Sequence, residues 1–209
     1  MYLFTRAGRL LPGAVREGIA FVTTINEKVH QETGLDVHTW GASMSPELGT
    51  VVWASLVESL EELEAADDKL AVSDSFLEMA EKGAKLFAGP LRDGLAQFVT
   101  APVDRSAGLP SYVTVARATA QNGRLSEAMA AGVEIAEAAT RISGVETAFL
   151  VDATGPFGGC RWQSGHTDIG SIQRSETALA ESDEWLQLMD RIGPLYAQGA
   201  EQSIYRRII

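Results

Sequence analysis

The sequence predicts an α+β protein of two tandem repeats, each running strand, helix, strand, strand, helix, strand, whose antiparallel sheets face each other as an intramolecular α/β barrel. Three observations carry this reading. Hydrophobic periodicity alternates between strand-like and helix-like spacing in the same order in both halves. Ser59–Leu70 (SLEELEAADDKL) and Ser175–Leu186 (SETALAESDEWL) share a serine, a leucine, an aspartate and a final leucine in register, 116 residues apart, as if one helix start occurred twice. Thr50–Val57 (TVVWASLV) carries apolar residues on both strand faces, as expected where neither face meets bulk water.

Tyr2 to Arg9 is aromatic and branched and ends in a glycine-containing turn, so it reads as a strand. From Pro12 onward Val15, Ile19, Val22, Ile25 and Val29 recur at helical spacing until Gly34. Leu35–Met44 and Thr50–Val57 flank the turn residues 45–49 and should pair as a hairpin. A helix starting at Ser59 should break near Val72–Asp74 and resume, and Leu91–Ala101 closes the half as a strand. This order is the split βαβ, or ferredoxin-like (βαββαβ), unit. It repeats as a strand over Ser111–Ala120, a helix over Gly123–Ser143, strands over Val145–Thr154 and Cys160–Gln173, a helix from Ser175, and a last strand over Gln202–Ile209. The expected division is a first repeat over 1–103, a linker over 104–110 and a second repeat over 111–209. The paired phrases drift from an offset of 116 to one of 110, which predicts about six extra residues in the first copy near Val72–Ser75.

Seventeen basic residues against 28 acidic ones give a net charge of −11. Such a chain repels phosphate backbones, so nucleic acid is excluded as a partner. The single cysteine, Cys160, permits no intrachain disulfide and points to a reducing, cytoplasmic setting. No apolar run is long enough for a membrane span, and the N-terminus lacks the pattern of a signal peptide. Dinucleotide, nucleotide, thiol-zinc and nucleophile-elbow motifs are all absent.

What remains is a small set of side chains. Strand parity places Leu35, Val37 and Thr39 on one face and Asp36, His38 and Trp40 on the other. The branched set suits the helix side, so His38 and Trp40 should point between the sheets, the histidine as proton acceptor and the tryptophan as an apolar wall. A core tryptophan beside a hydrogen-bonded histidine is the plainer alternative. His166 and Asp168, two apart, would share a strand face and orient each other for proton transfer, and with His38 could form a two-His, one-carboxylate metal site. Gly165–Asp168 reads equally as a turn. Trp53, Trp162, Phe149 and Tyr112 are candidates for an apolar pocket or for core. Arg6 and Arg117 look equivalent in the two opening strands, and each needs a carboxylate, from an acidic ligand or from Glu146 or Asp152. The catalytic candidates are therefore His38, His166 and Asp168, and the substrate-binding candidates Trp40, Trp53, Arg6, Arg117 and Phe149. No metal or cofactor is assigned. His30, near a helix end, and Cys160, with no activating base nearby, read as structural.

The doubled element order and the phrase Trp53–Glu64 (WASLVESLEELE), in which a tryptophan-bearing strand runs into a Ser-Leu-Glu-Glu helix start, resemble the dimeric α/β-barrel superfamily. The likeness is to antibiotic-biosynthesis-monooxygenase, stress-responsive-barrel and NIPSNAP-like proteins, in tandem form. It covers nearly the whole chain but rests on topology, with no catalytic motif to carry over. The resemblance implies a small-molecule enzyme or binding protein with an apolar cavity between its sheets, of cofactor-independent, monooxygenase-like activity on an aromatic or polyketide-like compound. Two alternatives accompany it. One is a non-catalytic protein of the same fold working through assembly as a homo-oligomer; the other is a metal- or haem-dependent barrel enzyme.

Overall fold

The computed structural model describes residues 1–102 and 108–208. The expected linker, 104–110, falls mostly outside them. Packing divides the chain into two compact units, Met1–Leu95 with the residues from Arg206 onward, and Ala96–Tyr205. The eight strands follow the order β1-β3-β2-β8-β5-β7-β6-β4, which closes into a barrel.

In the first unit β1 (Tyr2–Arg9) pairs antiparallel with β3 (Thr50–Val57), Arg6 opposite Trp53, and β2 (His38–Ala42) pairs with the other edge of β3, Thr39 opposite Trp53. Helix α1 (Val15–Thr33) buries Val22, Ile25 and Asn26 and stops at Gly34, which takes the left-handed conformation (φ 82°). Helix α2 (Leu60–Ala71) is capped by the Ser59 hydroxyl, which accepts from the Glu62 amide, while the Glu62 carboxylate accepts from the Glu58 amide. After the break at Val72, Ser73 caps α3 (Asp74–Ala84) in the same way. The half ends in β4 (Arg92–Phe98).

The second unit repeats this plan with β5 (Tyr112–Thr119), α4 (Leu125–Ser143), β6 (Thr147–Asp152), β7 (Gly159–His166), α5 (Ile169–Ala180), α6 (Asp183–Ile192) and β8 (Glu201–Arg207). Here the structure corrects the sequence register. Strand β7 ends at His166, and the cap of α5 is Asp168, whose carboxylate accepts from the Ser171 amide; Ser175 lies buried inside the helix. The structural partner of Ser59 is thus Asp168, 109 residues on, and that of Ser73 is Ser182, again 109 on. The phrase that seemed duplicated 116 residues apart is slipped by seven, about two helical turns, which keeps the same apolar face inward and so imitates homology. There is no six-residue insertion. The offset is 110 at Gly34 and Gly144 and 109 from Trp53 and Trp162 onward, so the copies differ by one residue, in the hairpin turn.

That register sets the equivalences that matter below. Trp53 matches Trp162, and the residue opposite it in the first strand is Arg6 in one copy and Ala116 in the other. Arg117 is one position further on and faces the other side of its sheet, so the two arginines are not equivalent. Among the described residues no helix is long and apolar enough to cross a membrane.

Candidate functional site

Thr39 is fully buried and accepts a 2.6 Å hydrogen bond from Asn26 Nδ2 on α1, so that face of β2 and of its neighbour β3 turns toward the helices. On this side of the sheet, beneath α1, α2 and α3, lies a cavity of about 520 Å³, the size of a drug-like ligand site. Its walls are aromatic and aliphatic: Phe4, Phe21, Trp53 and Phe87, then Ile25, Val29, Val37 and Leu63. Trp53 and Phe87 lie with ring centroids 5.7 Å apart, and Phe21 meets Phe87 edge-on at 6.3 Å.

Two of the lining residues each carry a polar atom that is shut away from solvent. Trp53 and Asn26 are 8% and 7% exposed, and Trp53 Nε1 and Asn26 Oδ1 are buried without a hydrogen-bond partner among the described residues. A buried indole N–H left unpaired costs about 1–3 kcal/mol, so native structures rarely keep one without use for it. At the outer edge Arg6 grips Asp93 in a two-pronged pair, Nε to Oδ1 and Nη2 to Oδ2, each 2.7 Å, and lies over the Phe4 ring. The Asp93 hydrogen bond raises the Arg6 pKa against the opposing effect of burial. Exposed Glu64 and Asp67 of α2 complete the rim.

The second copy explains why the first is hollow. Trp162 is stacked on Phe149 at 5.3 Å, meets Tyr196 edge-on at 5.5 Å, and donates Nε1–H to the Gly132 carbonyl at 2.8 Å. Phe149 occupies the Thr39 position, and Gly132 stands where α1 has Val22; a Cβ on Gly132 would fall 2.2 Å from the Phe149 ring. Ala136 replaces Asn26, removing the orphan carbonyl. On the closing helix Met189 and Ile192 of α6 take the places of Ala80 and Gly83 of α3. The same architecture therefore holds a packed aromatic cluster in one copy and a cavity in the other.

The structure brings Arg6 and Trp53 together at the cavity and disperses the other candidates. His38 and Trp40 lie on the face of β2 turned away from α1, opposite in parity to Thr39. Phe149 is fully buried core. Arg117 donates to the Tyr205 hydroxyl at 3.3 and 3.4 Å, and Asp152 is taken by Arg161, with Nε–Oδ1 at 2.7 Å. His166 is 3% exposed, with Nε2 3.2 Å from Thr114 Oγ1 and Nδ1 3.2 Å from Ser171 Oγ. Burial holds its pKa below the usual histidine value. Asp168 makes no hydrogen bond to that ring; its pKa is lowered first by the Ser171 amide it caps. His30 sits 3.1 Å from the Leu35 carbonyl at its helix end, and burial pushes the Cys160 thiol up to about 12.

Among the described residues no three His, Cys, Asp or Glu side chains gather as a metal site. The cavity lining contains no His, Cys, Met or Tyr, so it offers none of the usual axial ligands to haem iron. Sequence reasoning missed Asn26, although the signal existed: a polar residue interrupts the apolar stripe of α1 between Ile25 and Val29.

No protein-family model matches the chain, and no curated protein matches it in sequence. In fold it is similar to a Fusobacterium nucleatum protein provisionally named a monooxygenase, with 9% identity over 100% of this chain and 92% of that one and a TM-score of 0.71. It is likewise similar to an anthrone oxidase-like protein, with 11% identity, coverage of 99% and 90%, and a TM-score of 0.68. A mutant chlorite dismutase from Candidatus Nitrospira defluvii in complex with cyanide shares 13% identity over 99% and 91%, with a TM-score of 0.58. The chain shares with these proteins its fold, a closed eight-strand antiparallel barrel built from two βαββαβ repeats.

Proposed function

We propose that the chain is a small-molecule enzyme or binding protein whose ligand, a largely apolar ring compound bearing an oxygen, occupies the cavity under α1–α3, and that its chemistry is monooxygenase-like. The observation that carries the reading is the apolar cavity itself, walled in part by Trp53, whose buried N–H has no partner among the described residues. That donor suits a carbonyl or phenolate oxygen and strengthens as negative charge develops there. Asn26 Oδ1 would accept from a ligand hydroxyl. The likeness to an anthrone oxidase-like protein supports the reaction class. Oxidation of an activated ring CH2 to a carbonyl by O2, with release of water, draws its electrons from the substrate and needs no external reductant. Neither His38 nor His166 lines this cavity, so neither has a part in this scheme.

The test combines binding and turnover. Titration with anthrone or 1-naphthol should quench tryptophan fluorescence, and an oxygen electrode should record uptake with anthrone. Trp53→Phe should weaken binding about tenfold, the worth of one buried hydrogen bond, while His38→Ala and His166→Ala leave uptake unchanged. Equal binding by Trp53→Phe, or loss of uptake in the histidine variants alone, would refute the assignment.

A further inference from the structure

We infer that the cavity selects a ligand carrying a positive charge at its outer end, an apolar ring bearing an amine, and rejects carboxylic acids; this rests on the reading that the cavity binds a small molecule.

Among the described residues the one cation of the lining is Arg6. Arg6 commits one edge of its guanidinium, Nε and Nη2, to Asp93, so its charge is already balanced by a carboxylate before a ligand arrives. An acid entering the cavity would compete with Asp93, Glu64 and Asp67 for that one cation, and its charge against aromatic walls is costly. The pair leaves the rim with two further charges, both negative. Glu64 and Asp67 sit one turn apart on α2, both exposed, and neither forms an ion pair among the described residues. Asp67 is near enough to Arg6 to contribute to raising its pKa. The lining as a whole therefore has one positive and three negative side chains, an imbalance that attracts cations.

Inside the rim the composition agrees. The faces of Phe4, Phe21, Phe87 and Trp53 accept cationic as well as neutral rings. Trp53 and Asn26 form a buried inner end of the lining, independent of the rim, each with one polar atom that has no partner among the described residues. The second copy lacks this inner end, because Ala136 replaces Asn26 and the indole of Trp162 is already bonded. The selectivity thus belongs to the same half as the cavity.

Three probes of like shape test it by isothermal titration calorimetry: 1-naphthylmethylamine, 1-naphthalenemethanol and 1-naphthaleneacetate. The amine should bind tightest and the acid weakest, with about a tenfold spread at low salt that narrows in 0.5 M NaCl, because exposed charges are screened. The double variant Glu64→Gln, Asp67→Asn should reduce amine affinity to that of the alcohol and leave alcohol binding unchanged, which also shows that the variant is folded. If the alcohol binds and the acid matches or exceeds the amine, the charge selectivity is wrong and the cavity reading stands. If none of the three binds, the cavity reading fails and the selectivity with it.

Discussion

The two equivalent tryptophans give opposite expectations for one substitution. Trp53→Phe and Trp162→Phe remove the same atoms from equally exposed strand positions, 8% in each, so their losses of burial nearly cancel in comparison. The hydrogen bonding does not cancel. Trp162→Phe breaks a buried 2.8 Å bond to the Gly132 carbonyl, worth about 1 kcal/mol. Trp53→Phe deletes a buried donor without a partner and recovers about 1–2 kcal/mol of its desolvation penalty. Without ligand, Trp162→Phe should therefore be the more destabilising by about 2–3 kcal/mol, a difference of roughly 4–12 °C in Tm for a chain of this size. Urea titration followed by circular dichroism measures it. Equal losses, within about 0.5 kcal/mol, would mean that the Trp53 N–H is satisfied in the free protein, and would remove the main argument for a ligand.

Other substitutions separate the two copies. Phe149→Ala should cost about 3–5 kcal/mol by denaturant titration, because a fully buried ring is lost together with its stack on Trp162. Ala80→Met, which copies the second-copy residue Met189, should fill the cavity and abolish naphthol binding while the circular dichroism spectrum is unchanged. Burial lowers the His166 pKa in the folded state, so the unfolded chain takes up its proton first as pH falls; stability should be full above about pH 6.5 and decline below it. His166→Gln should flatten that decline, and an unchanged slope would refute the role given to burial. Asp168→Asn keeps the capping oxygen and should leave ligand binding and turnover as they are, whereas a proton-transfer role would make it inactive.

Much of the architecture was legible because strand and helix periods differ, and Gly34 and Gly144 mark the ends of the long helices without ambiguity. Register was less legible. The alternating residues of β2 correctly put Val37 and Thr39 on the helix side, but Ser175 passed for a helix cap because a shift of two turns preserves an apolar stripe. Arg6 and Arg117 looked equivalent since a slip of one residue leaves an arginine in each opening strand while reversing its face. The cavity itself was out of reach. Its existence depends on size differences between matched positions, Thr39 against Phe149 and Ala80 against Met189, and those matches need the true offset. Asking only where histidines pointed drew attention to the face of the sheet away from α1, whereas the unpartnered polar atoms lie beneath that helix.

The exchange of Val22 and Thr39 for Gly132 and Phe149 bears on how a duplicated chain can change. A solitary unit must keep its recognition surface and its folding nucleus in one core, so any widening of the first erodes the second. With two copies those demands fall on different residues. Positions around Trp53 can drift toward a new ligand while the aromatic cluster around Trp162 retains its fit, and substitutions that reshape specificity need not begin by weakening the fold.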